Sequence, residues 1–129
     1  MRIGGYLKGR KSTLFNLRFE IYIMSFNEDV FEVVRLIPRG RVTAYGALAK
    51  YLGDARASRR VGWALNKSFT ATPEVPAHRV VNRLGMLSGA LHFPPERSMA
   101  DELREEGVKV KEGQVVEFDK CFWDPMTEL

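Results

Sequence analysis

The chain has 129 residues, 45% of them hydrophobic and 28% charged, with a net charge of +4 at pH 7. That length points to one domain large enough to bury most of its apolar surface, and no apolar run approaches the roughly 18 residues a membrane helix needs. The single cysteine, Cys121, excludes an internal disulfide and fits a reducing cytoplasm.

The net charge is unevenly placed. Residues 1–23 carry Arg2, Lys8, Arg10, Lys11 and Arg18 against Glu20, which accounts for all of it. Residues 33–67 hold eight basic side chains against Asp54 alone, and residues 95–129 hold five basic and ten acidic ones. A local basic segment is either a solvated face or the footprint of a nucleic-acid binder.

Residues 1–23 have a basic start but no signal-peptide apolar stretch and cleavage site. From Leu14 to Ile23 an alternation suggests a strand. Residues 1–23 read as a basic N-terminal extension, flexible or not native, with Met24 as the expected start of a domain over 24–129. Asn27 is a plausible N-cap, followed by Glu28 and Asp29 in the first turn. Val30, Phe31, Val33, Val34 and Ile37 then repeat at helical spacing, and Pro38-Arg39-Gly40 ends the helix. Thr43 can cap a second helix, Ala44 to Leu52, stopped by Gly53. A third helix opens near Ala57 or Ser58 and runs to about Asn66. Two short helices joined by a tight turn form a helix-turn-helix arrangement.

Pro73 and Pro76 mark the next loop. Arg79-Val80-Val81 is β-like, and after the turn Asn82-Arg83-Leu84-Gly85 the pair Met86-Leu87 can return as a strand, making a small wing. Pro94-Pro95 precedes a helix from about Glu96 to Glu106, ended by Gly107. Val108 to Val110 and Gln114 to Phe118 flank Lys111-Glu112-Gly113, a hairpin signal.

Taken alone, the chemistry-bearing residues are ambiguous. Tyr45, in Arg41-Val42-Thr43-Ala44-Tyr45-Gly46, suits half-buried packing. Arg59 and Arg60, in Ala57-Ser58-Arg59-Arg60-Val61-Gly62-Trp63, suit a surface pair opposite Val61, Ala64 and Leu65. His78 suits a satisfied core or surface histidine. His78, His92 and Cys121 have no zinc-type ligand spacing, and no Walker-type glycine loop is present. Neither a metal nor a cofactor is expected. Cys121 reads as a small packing residue.

Together these segments resemble the O6-alkylguanine-DNA alkyltransferase family, over roughly residues 26–110. The segment Pro76-Ala77-His78-Arg79-Val80-Val81-Asn82 is similar to the family's Pro-Cys-His-Arg-Val, in which the cysteine accepts the alkyl group. Ala77 stands at that cysteine, and a methyl group offers no nucleophile. The pattern is that of the alkyltransferase-like members. It implies a mainly α fold with small β-hairpins, a winged-helix-like DNA-binding domain of the alkyltransferase C-terminal type.

The resemblance also assigns roles. Thr43, Tyr45, Arg59, Arg60 and Gly62 fall at DNA-binding positions. Tyr45 matches a tyrosine that presses the phosphate beside the target, and Arg59 an arginine that fills the gap left by a flipped base. Arg60 is expected on a phosphate, and Gly62 permits close backbone approach. Pro76, Ala77, His78, Arg79, Ser88 and Gly89 fall at the lesion pocket. His78 and Glu106 match a proton relay that has lost its nucleophile, and Arg79 ties the loop to its surroundings. Several positions depart from the pattern. The loop before Ser88 is about three residues short, Ala90 replaces a glycine, Trp63 replaces a small residue, and Asn66 is displaced from the hinge asparagine. The implied function is non-enzymatic: a protein that flips O6-alkylguanine in double-stranded DNA, leaves it unrepaired and flags it for nucleotide excision repair proteins. The expected setting is a cytoplasmic monomer at the nucleoid, with no membrane partner. The alternatives are a winged-helix DNA binder without lesion preference and residual alkyl transfer.

Overall fold

The computed structural model describes residues 10–129. A long helix α1 (Arg10–Arg35) leads into β1 (Thr43–Ala44), α2 (Tyr45–Tyr51) and α3 (Ser58–Asn66). Then come β2 (Val80–Val81), α4 (Met99–Glu105), β3 (Val110–Lys111), β4 (Gln114–Val115), α5 (Phe118–Cys121) and α6 (Pro125–Glu128). The mainly helical fold expected from the sequence is present. No helix among the described residues is long and apolar enough to cross a membrane.

The strand anticipated over Leu14–Ile23 is instead the first part of α1, and Asn27 lies inside that helix rather than capping it. The reason lies in cooperativity. No Gly or Pro falls between Arg10 and Ile37, so extending an existing helix upstream adds one hydrogen bond per residue without a new nucleation cost. An interior asparagine costs only a fraction of a kcal/mol, well under 1 kcal/mol. The residues anticipated before Arg10 lie outside the described ones.

Only the second half of α1 belongs to the core. Val30, Phe31, Val33 and Val34, with Ile37 beyond the helix, are buried, whereas Leu14, Leu17, Ile21 and Met24 are each more than half exposed. The buried set packs with Leu48, Ala49, Val61, Ala64, Leu65, Val75, Ala77, Val80 and Trp123. A second cluster gathers Val42, Val81, Leu87, Met99, Leu103, Val108, Val110 and Val115. The β1–β2 pair lies between them, its successive valines facing opposite sides as a strand requires.

Three local expectations change. Thr43 does not cap the second helix. It pairs with Val80, and Ala44 with Val81, in a two-stranded parallel sheet, so α2 begins at Tyr45 without a side-chain cap. The wing anticipated from Arg79–Val81 and Met86–Leu87 does not form. Val80 and Val81 are both fully buried, the two-sided burial of a parallel strand. Met86 instead bridges Gln114 on the outer side of the β3–β4 hairpin. Finally, the helix anticipated from Glu96 is a 3-10 turn over Pro95–Arg97 followed by α4. The Ser98 hydroxyl caps α4, accepting from the Asp101 amide at 3.1 Å.

The hairpin after α4 matches its sequence signal, with Val110 opposite Val115 and Lys111 opposite Gln114. The C-terminal segment returns to the centre. The Val42 amide donates to the Cys121 carbonyl at 3.0 Å, and the Trp123 amide donates to the Val42 carbonyl at 2.7 Å.

This division of α1 gives a direct test. Truncating Ile37 to alanine should cost about 2–5 kcal/mol in chemical denaturation, as for a buried aliphatic side chain. Leu17→Ala should fall within about 0.5 kcal/mol of wild type, and residues 24–129 alone should keep a cooperative transition.

Candidate nucleic-acid interface

The loop that carries Ala77 is held from below by one carboxylate. Ala77–Arg79 forms a 3-10 turn that runs straight into β2, with Ala77 and His78 both buried. The His78 Nε2 lies 2.7 Å from Glu106 Oε2, and Glu106 itself is 4% exposed. Arg79 donates through Nε and NH2 to the same carboxylate, at 3.0 Å to Oε1 and 2.7 Å to Oε2. Its NH1 donates to the Ile37 carbonyl at 2.7 Å, and the Gly40 amide donates to Glu106 Oε1 at 3.2 Å. One side chain thus joins the end of α4, the turn after α1 and the loop of Ala77. Burial by itself would raise the Glu106 pKa. The hydrogen bonds from Arg79, His78 and Gly40 outweigh that and hold it at about 2, because a carboxylate with several donors is stabilised in its charged form.

Glu102 was not anticipated. Its Oε1 lies 3.4 Å from His78 Nδ1, so both ring nitrogens of His78 face carboxylates. The signal was available in the sequence: Glu102 precedes Glu106 by four residues on a predicted helix, which puts both on one face. Glu102 also pairs with Arg97 at 2.6 Å, and Arg97 with Glu74 at 3.1 Å. This network lines a concavity of about 900 Å³ that holds arginines and carboxylates alike. Its mixed charge suits mutual pairing better than capture of an anion.

The other side of Ala77 is closely walled, by aromatic rings together with Glu74, Arg97 and Glu102 of the same charged network. Ala77 borders a cavity of about 140 Å³ with Phe69, Val75 and Phe93. Phe69 and Phe93 meet edge to face at 4.9 Å between centroids. It also borders a void of about 10 Å³ shared with Tyr45, Asn66, Gly89 and His92. That void is at the limit for a single water molecule, roughly 10–15 Å³. Tyr45 closes it. A Cβ at Gly89 would sit 3.0 Å from the Tyr45 hydroxyl, and one at Gly62 would sit 3.8 Å from its ring. Gly89 therefore permits an approach that a side chain would block. For a planar group to reach Ala77 through this void, Tyr45 or the loop at Gly89 has to move.

Three sequence-predicted site residues, Tyr45, Ala77 and Gly89, are brought together around this void, and Gly62 lies behind the Tyr45 ring. Arg59 and Ser88 are exposed nearby in sequence, while Pro76 is half-buried. Two residues lie elsewhere. Thr43 is fully buried with its hydroxyl unpartnered among the described residues, so it offers no surface contact in this conformation. Arg60, expected on a phosphate, turns back onto α1. Its guanidinium lies 4.2 Å from the Phe26 ring centroid and donates to the Tyr22 hydroxyl at 3.0 Å. Aromatic faces attract a guanidinium by a cation–π interaction, and these partners only exist because α1 extends past Asn27.

Among the described residues no group of three His, Cys, Asp or Glu side chains is placed to hold a metal ion. Cys121 packs against the second core cluster, and burial pushes its thiol pKa up, which disfavours the thiolate.

The family model for the DNA-binding domain of 6-O-methylguanine DNA methyltransferase matches residues 25–108. The DNA base-flipping protein of Escherichia coli K12 is 38% identical over 100 residues, covering 78% of this chain and 75% of that protein. Alkyltransferase-like protein 1 of Schizosaccharomyces pombe is 36% identical over 104 residues, covering 78% and 95%. The fold is similar to the crystal structure of S. pombe ATL in complex with DNA, with a TM-score of 0.66 at 33% identity over 78% of this chain and 96% of that one. It is also similar to S. pombe Atl1 in complex with damaged DNA containing O6-carboxymethylguanine, with a TM-score of 0.63 at 31% identity and the same coverage.

The Glu106 cluster predicts a specific acid sensitivity. A folded-state pKa lowered from 4.5 to about 2 contributes stability that is fully present above pH 4.5 and is lost as pH falls toward 2. Glu106→Gln should destabilise the protein by on the order of 3 kcal/mol at neutral pH, since it leaves Arg79 without its buried counter-charge. The variant's stability should also change less than the wild type's between pH 4.5 and pH 2, as followed by denaturant titration.

Proposed function

This chain belongs to the 6-O-methylguanine DNA methyltransferase family through its DNA-binding domain, and we propose that it recognises O6-alkylguanine in duplex DNA without repairing it. The observation that carries this reading is Ala77. Its methyl group occupies the position of the alkyl acceptor on a rigidly anchored loop, inside a site walled by Tyr45 and Gly89. The surrounding apparatus is present and the nucleophile is absent. Cys121, the only thiol, lies outside the motif in the other core cluster. The similarity to a DNA base-flipping protein, and to a structure holding damaged DNA, supports the reading.

The mechanism follows from the cost of exposing the base. Rotating a nucleotide out of the stack costs a few kcal/mol, and less when the pair is already damaged. Arg59, exposed on α3, replaces part of the lost stacking with a planar guanidinium that can also hydrogen-bond the orphaned partner base. Tyr45 displaces from the void as the base enters and takes the neighbouring phosphate. Pro76, Ala77, His78, Arg79, Ser88 and Gly89 form the receiving walls. His78 and Arg79 act by fixing the loop rather than by moving protons, since Glu106 and Glu102 occupy both imidazole nitrogens. Thr43 and Arg60 act from behind the interface, as packing under α2 and α3. The bound complex then serves as a flag for nucleotide excision repair proteins, with the protein acting as a cytoplasmic, nucleoid-associated monomer.

Binding to one duplex with and without a single O6-methylguanine tests this. A clear preference for the lesion, with no labelled methyl group on the protein, is the expected result. Equal binding would favour a winged-helix binder without lesion preference, and stoichiometric label would show alkyl transfer. Arg59→Ala and Tyr45→Ala should each weaken lesion binding by roughly 1–3 kcal/mol, the scale of a lost stacking or bidentate contact.

A further inference from the structure

The two tryptophans of the chain have opposite environments: Trp123 is 3% exposed and Trp63 is 59% exposed. Trp63 stands where the family has a small residue, and its exposure shows that the indole is not there to fill the core. On α3 the residues Val61, Ala64 and Leu65 are buried. Arg59 precedes Trp63 by four residues and Lys67 follows it by four, and all three are exposed. At 3.6 residues per turn that spacing stacks Arg59 and Trp63 along one outward face, with Lys67 at the C-cap just beyond the helix. The indole is therefore flanked by a cation on either side. It directly follows Gly62, which lies against the Tyr45 ring. An aromatic interleaved with cations on a basic helix is the pattern of a surface that meets nucleic acid.

We propose that Trp63 is a DNA-contacting side chain, its indole lying against deoxyribose rings and base edges in the groove that α3 faces. This rests on the DNA-binding reading and adds a contact outside the lesion pocket. Four residues of helix rise about 6 Å, and successive base pairs about 3.4 Å. The indole thus meets the duplex at a point separate from the one where Arg59 enters. Such a contact is apolar. It adds affinity for damaged and undamaged duplex alike and releases no counterions.

The test uses the full chain, a short undamaged duplex and the same duplex carrying one O6-methylguanine. Protein emission is recorded alongside the anisotropy of labelled DNA. Because Trp123 is buried, a change in indole emission reports Trp63, and it should saturate in step with anisotropy on both duplexes. Trp63→Ala should bind both about tenfold more weakly, toward the lower end of the range for one aromatic contact. Its ratio of damaged to undamaged affinity and its salt slope should match those of wild type. Trp63→Phe should recover most of the affinity and lose the emission change. An unchanged melting temperature for both variants would confirm that the fold is intact. Unchanged emission with DNA bound, or a Trp63→Ala affinity equal to wild type, would overturn the proposal. A lost ratio in Trp63→Ala would place the indole in the pocket and overturn the groove assignment. An absent lesion preference in the wild type would instead overturn the lesion reading, with the undamaged duplex still deciding Trp63. Failure to bind either duplex would overturn both.

Discussion

The carboxylate of Glu106 is the constraint on which the site depends. It ends α4, accepts from the turn that closes α1, and grips His78 and Arg79 on either side of its two oxygens. The residues it joins are 27 to 66 positions apart in the chain. Its charge is stabilised enough to survive almost complete burial. The loop of Ala77 is thereby tied to α4 and to the end of α1 through His78 and Arg79. A site that must receive a base at low cost gains from such preorganisation, because the ordering has been done before binding.

The opposite wall is the movable part. Tyr45 fills the space beside Ala77 through contacts with two glycines, Gly62 and Gly89. Those contacts involve no buried ion pair, so the proposed displacement of Tyr45 gives up packing against the first core cluster and leaves the Glu106 cluster intact. A fixed floor and a replaceable plug are the two elements that the proposed entry of a flipped nucleotide requires. On the proposed reading, the methyl of Ala77 leaves the floor without a nucleophile, so recognition is not followed by transfer.

Much of this was legible in the sequence, and the failures have physical causes. The core half of α1, the stop at Pro38–Gly40, α3 and the β3–β4 hairpin are local signals, set by periodicity, capping and turn residues. The meeting of His78 with Glu106 followed from the family resemblance. What escaped depends on partners distant in the chain. Thr43–Ala44 is a strand only because Val80–Val81 lies beside it, and no periodicity reveals a two-residue parallel pair. Arg60 was expected on a phosphate because the family resemblance puts it beside the arginine that fills the gap, yet Phe26 and Tyr22 on α1 offer it an aromatic surface. That surface was hidden by reading residues 14–23 as a strand, so one wrong element displaced one site residue. Glu102 needed only the observation that it shares a helix face with Glu106.

The central claim is that the chain takes a nucleotide out of the stack and performs no chemistry on it. The most direct measurement places a fluorescent adenine analogue beside a single O6-methylguanine in a duplex and follows its emission as the protein binds. The account predicts a rise in emission as the neighbouring base leaves the stack, full reversal when salt dissociates the complex, and recovery of the O6-methylguanine unaltered. Binding without any rise in emission, or recovery of an unmethylated guanine, would contradict it.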